Sequence, residues 1–141
     1  MPVYGRQKFY WYKEPLAELD SDPPVEDVFE TVLDTTRLTK VWYIAIKRLD
    51  DDADAKNINV KTTIDGVVRT GTGWAQNNNT WNYWYLSPTV DEMYPSTSIL
   101  NSASYKAIKG TSVKIEVEQT EVPGANAELD GRVQYATWRP T

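Results

Sequence analysis

The sequence predicts an all-β chain, an antiparallel β-sandwich preceded by an extended N-terminal arm. Three observations carry this. Residues 57–64 and 112–118 alternate apolar and polar side chains with a period of two, the mark of a strand with one buried face. Asp65-Gly66 and Val122-Pro123-Gly124 are turn signals, the first suited to a two-residue hairpin and the second to a type II turn. No stretch carries the 3.6-residue periodicity of an amphipathic helix through three turns.

Residues 1–24 read as the arm. Tyr4, Phe9, Tyr10, Trp11 and Tyr12 crowd a short span, and Pro23-Pro24 closes it, since consecutive prolines suit neither a helix interior nor a central strand. Aromatics at this density are costly to leave in water. They either pack on their own domain or dock on a neighbouring subunit. Between them, Glu14 to Asp20 has the composition of one helical turn.

Residues 25–141 read as the sandwich domain. Val25 to Leu33 is expected to be a strand, and Asp34 to Thr36 a turn. Leu38 to Leu49 is the most hydrophobic segment. Trp42, Ile44 and Ile46 are expected on one face, and Val41, Tyr43 and Ala45 on the other; β-branched and aromatic content favours a strand over a helix. Asp50 to Ala55 is an acidic loop. Its alternating aspartates suggest calcium, but Ala55 and Lys61 stand where an EF-hand wants Gly and a bidentate acid, so a solvated loop without metal is expected.

The clearest hairpin follows. Asn57 to Ile64 runs out, Asp65-Gly66 turns, and Val67 to Trp74 runs back. Gly71-Thr-Gly73 lacks a following helix and is read as flexible or bulged strand, not a phosphate loop. After Asn77, Asn78 and Asn79, the segment Thr80 to Leu86 forms a third strand. There Trp81, Tyr83 and Tyr85 are expected in the core, with Asn82 and Trp84 toward a rim. Ser102 to Lys109, stopped by Gly110, reads as a helical turn or an irregular crossover. Ser112 to Glu121 points Val113, Ile115 and Val117 inward, and Leu129 to Trp138 returns with Val133 and Tyr135 buried. Long connections near 87–98 and 101–111 suit crossovers between sheets, which makes a jelly roll the favoured topology and an immunoglobulin-like sandwich the alternative.

Composition narrows the function. The chain has 141 residues, 6 Trp and 9 Tyr, but neither Cys nor His. That removes disulfides, thiol nucleophiles, the usual neutral-pH general base and the commonest zinc ligands. A net charge of −5 without a basic block argues against nucleic acid. No apolar run is long enough for a membrane helix, and the N-terminus lacks the h-region of a secretory signal, so synthesis in a cytosol, or excision from a longer protein, is expected. Carboxylates alone could support glycoside hydrolysis, through Asp65, Asp91, Glu92, Glu116, Glu118, Glu121 or Asp130. No pair among them stands out, and the chain is read as non-enzymatic, without cofactor or metal.

Two binding roles remain. Trp74, Asn77, Asn78, Asn79, Trp81 and Trp84 bring stacking surfaces and amide groups together within a short span, the ingredients of a carbohydrate-binding module or a receptor contact. The other role is structural. The aromatic arm Tyr4–Tyr12, the Pro23-Pro24 break and the sandwich from Val25 to Trp138 resemble, at the level of architecture, the jelly-roll decoration, turret and fibre proteins of virus particles. That resemblance implies a homo-oligomer, commonly a trimer, fixed to a capsid shell protein at one end and exposed at the other. It implies a place on a virion or extracellular particle surface, after assembly in the host cytoplasm. Phe9, Tyr10, Trp11, Tyr12 and Tyr4 are the expected oligomer or shell contacts. The leading expectation is thus a structural particle protein, with glycan binding second.

Overall fold

The computed structural model describes residues 8–22, 24–49, 56–75, 80–86, 93–96, 107–120 and 127–141. Eleven strands occur among them: β1 (Phe9–Lys13), β2 (Ala17–Ser21), β3 (Glu30–Thr35), β4 (Thr39–Leu49), β5 (Lys56–Ile64), β6 (Val67–Ala75), β7 (Trp81–Leu86), β8 (Met93–Ser96), β9 (Ile108–Gly110), β10 (Val113–Gln119) and β11 (Glu128–Pro140). They build two antiparallel sheets that pack as a sandwich. The seven-stranded sheet runs β1–β11–β4–β7–β8, with β2 also on β11 and β9 also on β4; the four-stranded sheet runs β3–β10–β5–β6. The chain changes sheet between β2 and β3, again into β4, into β5, into β7, into β10 and finally into β11.

The core lies between the sheets. Ile58, Val60, Val113, Ile115 and Val117 meet Ile44, Ile46, Trp84, Leu129 and Val133, each 0–1% exposed. At roughly 25 cal/mol per Å2 of apolar surface removed from water, this burial is the main term holding the layers together. The alternation expected of β5 and β10 is present as drawn from the sequence. The Asp65-Gly66 turn is present too, with φ of 50° and 81°, as a type I′ hairpin requires. β6 pairs with β5 in continuous register through Gly71 and Gly73, without the bulge allowed for there.

The seven-stranded sheet is interrupted at one level. Glu14, Pro15 and Leu16 separate β1 from β2 where β11 spends only Gln134 and Tyr135. Proline has no N–H to donate to the ladder. On the other side of β11, the register skips Trp42 between Tyr43 and Val41. An extra residue reverses the side-chain alternation, so Val41 joins Ile44 and Ile46 in the core, at 1% exposure, and Trp42 does not. The sequence expectation for the faces of this strand fails at that bulge.

Other expectations are corrected. Residues 17–20 are strand, not a helical turn, because Ala17 and Leu19 pack against the core while their backbone pairs with β11. Val25 and Val28 are 59% and 47% exposed in a turn closed by Val28 N–H on the Val25 carbonyl; β3 begins only at Glu30 and runs on through Thr35. Ile108–Gly110 is a strand on β4, not the end of a helix. The stretch that reads as an arm forms, from Phe9 to Ser21, the edge of the larger sheet. Glu14 fastens that edge, accepting from the Thr137 hydroxyl at 2.6 Å and pairing with the Arg139 guanidinium at 2.5 Å. Among the described residues no helix is long and apolar enough to cross a membrane.

Candidate functional site

Strand register collects an unusual set of side chains on the outer face of the seven-stranded sheet, the face turned away from the core. Leu129, Gly131 and Val133 of β11 are buried, so Asp130, Arg132, Gln134, Ala136 and Trp138 look outward. Their partners across the sheet share that face.

At one end stand aromatic rings. Trp11 lies opposite Trp138, and Phe9 opposite Pro140. The Phe9 and Trp138 rings stack at 6.0 Å with a 7° interplanar angle, and Trp11 meets Trp138 edge-on at 5.1 Å. Phe9 is 46% and Trp138 36% exposed. Lys13 approaches the Trp42 ring at 5.7 Å, and Lys109 the Trp11 ring at 5.4 Å. Ala136, between Lys13 and Lys40 in the register, is buried among these larger side chains.

At the other end the face is charged. Asp20, Asp130 and Lys47 form one row with Trp81; Glu18, Arg132 and Ala45 form the next with Tyr83. Arg132 sits 4.3 Å and Lys47 5.0 Å from the centre of the Trp81 ring. Lys47 pairs with Asp130, and Arg132 with Glu18, both at 3.8 Å. Half-exposed pairs of this kind contribute about 0–1 kcal/mol each, so they orient the cluster more than they stabilise the fold. Burial raises the Asp130 carboxyl above its ordinary pKa, the charge of Asp20 raises it further, and Lys47 opposes both. Glu18, Leu19, Asp20, Trp81, Asp130, Gly131 and Arg132 line a cleft of about 170 Å3. Tyr43 and Tyr83, in edge contact at 5.6 Å, lie between the two ends.

This geometry divides the residues singled out from the sequence. Phe9, Trp11 and Trp81 belong to the face. Tyr10 and Tyr12 point to the opposite side of β1 and are 42% and 40% exposed, with Arg139 4.6 Å from the Tyr12 ring. Trp74 lies opposite Asn57 in the other sheet. Tyr4, Asn77, Asn78, Asn79 and the acidic loop 50–55 fall outside the described residues. Trp84 is corrected outright. At 1% exposure it is core, as are Asn82 and Leu86, while Trp81 and Tyr83 turn outward, the reverse of the expected facing. Tyr85 shares their parity and is buried nonetheless, at 4%.

Sequence reasoning missed Trp138, Trp42, Tyr43, Tyr83, Lys47, Arg132 and Asp20 as parts of one surface. Trp11 and Trp138 sit near opposite ends of the chain, and only the β1–β11 register brings them together. Among the described residues no group of three or more Asp or Glu side chains could hold a metal ion.

No family model matches the chain, and no curated protein matches it. Among solved structures, a chain described as "Structure of infectious bursal disease virus Gt strain" is similar over 98% of this chain, at 15% identity and a TM-score of 0.33. This chain spans 37% of that chain's length. Such a score fixes neither a shared topology nor a shared role.

Proposed function

We propose that this chain is a non-enzymatic structural protein that associates with copies of itself through the outer face of its larger sheet. On this reading it is a decoration or fibre component on the surface of a virus particle, in contact with a capsid shell protein. The observation that carries self-association is the exposed ring cluster of Phe9, Trp11 and Trp138. Rings of this size on one open sheet face mark an interaction surface more often than idle exposure. The strand orders support the particle reading. Taken as β2–β11–β4–β7 against β3–β10–β5–β6, they agree with the jelly roll expected from the sequence, an architecture frequent in viral capsid and lectin domains; that step is fold analogy.

The test is absolute mass in solution by light scattering, across a hundredfold range of concentration. A defined oligomer that dissociates in a Trp11→Ser, Trp138→Ser double variant is the expected result. A monomer at every concentration sinks the proposal.

A glycan-binding module is the second reading, favoured by the cleft beside Trp81 with its carboxylates and Arg132. It ranks lower because Arg132 and Lys47 already approach the Trp81 ring, so a sugar stacking there would compete with them. Binding of oligosaccharide by the monomer, abolished by Trp81→Ala, would bring it forward.

A further inference from the structure

The two ends of the outer face carry opposite charge. Lys13, Lys40 and Lys109 form one row across β1, β11, β4 and β9, and the register places no carboxylate among the described residues in that row or in the Trp11–Trp138 and Phe9–Pro140 pairs beyond it. The other end holds Glu18, Asp20, Glu128 and Asp130 against Lys47 and Arg132, an excess of negative charge. Between the ends lies the Tyr43–Gln134 pair, which is polar but uncharged.

From this polarity we infer that the outer face docks on the same face of a second copy, with strands antiparallel, about a two-fold axis crossing the strands near Gln134. The inference rests on the self-association proposed above and specifies its geometry. A face with opposite charges at its ends is complementary to itself only when one copy is reversed. The lysine row of each subunit then approaches the carboxylate end of the other, twice over, as an isologous contact demands. A parallel arrangement sets like charge on like, which is unfavourable. Aligned face-to-face packing is also a geometry that sheets adopt readily, about 10 Å apart. In this arrangement the Trp11–Trp138 row of each copy covers the Asp20–Asp130 row of the other, beside Trp81, and the charges choose the orientation.

The charge variants use exposed positions, so that folding is preserved. Lys13→Glu with Lys109→Glu makes both ends of the face acidic; Glu18→Lys with Asp20→Lys makes both ends basic. Each variant alone is expected to dissociate about tenfold or more readily than the native chain, and an equimolar mixture to recover a mixed dimer. Independently, Gln134→Cys in this chain without native cysteine should cross-link two copies on oxidation or with a short bis-maleimide. Thr70→Cys, on the four-stranded sheet, should not. A native dimer unaffected by either charge variant, a mixture that stays monomeric, a trimer, or cross-linking at Thr70 alone would each overturn the two-fold arrangement and leave self-association standing. A native chain that is monomeric throughout would overturn both.

Discussion

Asp65 and Thr111 join the tip of the β5–β6 hairpin to the connection between β9 and β10. The Asp65 carboxylate accepts from the Thr111 hydroxyl at 2.6 Å and from its backbone N–H at 2.8 Å; the Ser112 N–H adds a third bond at 2.9 Å. In return the Asp65 N–H donates to the Ser112 carbonyl at 3.0 Å. A residue chosen by the turn for its tolerance of positive φ thereby also pins two connections together.

These bonds have a pH signature. The Thr111 hydroxyl foremost, then the Ser112 amide, hold the Asp65 carboxyl below its ordinary value of 3.8, with slight burial opposing and the Thr111 amide helping. A carboxyl depressed in the folded state contributes stability above its unfolded pKa and loses it as pH falls through the folded one. Asp65→Asn keeps a residue tolerant of φ 50° and removes the charge. Its melting temperature should lie below that of the native chain at neutral pH, with the gap closing as pH falls below the ordinary carboxyl value of 3.8. Asp130→Asn should show the opposite slope. The raised carboxyl of Asp130 penalises the ionised folded state, and that penalty is relieved as pH drops. Thermal unfolding at several pH values reads both; parallel curves for native chain and variants would refute the assignment.

Gly110 is a second contact at the same place. A Cβ there would stand 2.6 Å from Ile64 Cγ2 and 3.0 Å from an Asp65 carboxylate oxygen. Gly110→Ala should therefore destabilise by about 1–3 kcal/mol, the usual cost of overpacking, as a lower urea midpoint at unchanged m-value. A neutral substitution would mean that β9 does not lie this close to the hairpin.

Trp84 and Trp81, three residues apart, should part company on truncation. Trp84 spans the core, and Trp84→Ala should cost about 3–5 kcal/mol. Trp81 loses cation–π contacts with Arg132 and Lys47, worth about 0.5–1 kcal/mol each at exposed sites, so Trp81→Ala should leave the melting temperature within a few degrees. Equal losses would contradict the facing of β7.

Which parts of this were legible in the sequence follows from how local each signal is. The alternation of Ile58 to Ile64, the Asp65-Gly66 turn and the alternation of Val113 to Val117 are written in neighbouring residues, and the fold class follows from them. The facing of Trp81 to Leu86 was not, because aromatic residues stood at both parities and only packing against Ile44 and Ile46 decides between them. The bulge at Trp42 was invisible for a related reason. An extra residue is defined by its partner strand, and Gln134 and Tyr135 are far away in the chain. The candidate surface suffered most, since its members come from β1, β2, β4, β7, β9 and β11 and share a face only through register.

Deleting residues 1–24 looks, from the sequence, like the natural test of an arm. The structure makes it a test of folding instead. Those residues include β1 and β2, which cover one edge of β11 along most of its length, and Ala17 and Leu19, which pack on the core. Removing them would bare a long edge strand, a template for aggregation, and would strip Glu14 from Arg139 and Thr137. The truncated chain is expected to be insoluble or to melt well below the intact one. Phe9→Ser combined with Trp138→Ser is the informative alternative. Both rings are more than a third exposed, so stability should change by roughly 1 kcal/mol while self-association is lost. Circular dichroism melts beside light-scattering masses separate the two effects. A double variant that melts like the native chain and still associates would show that the ring cluster is not the contact.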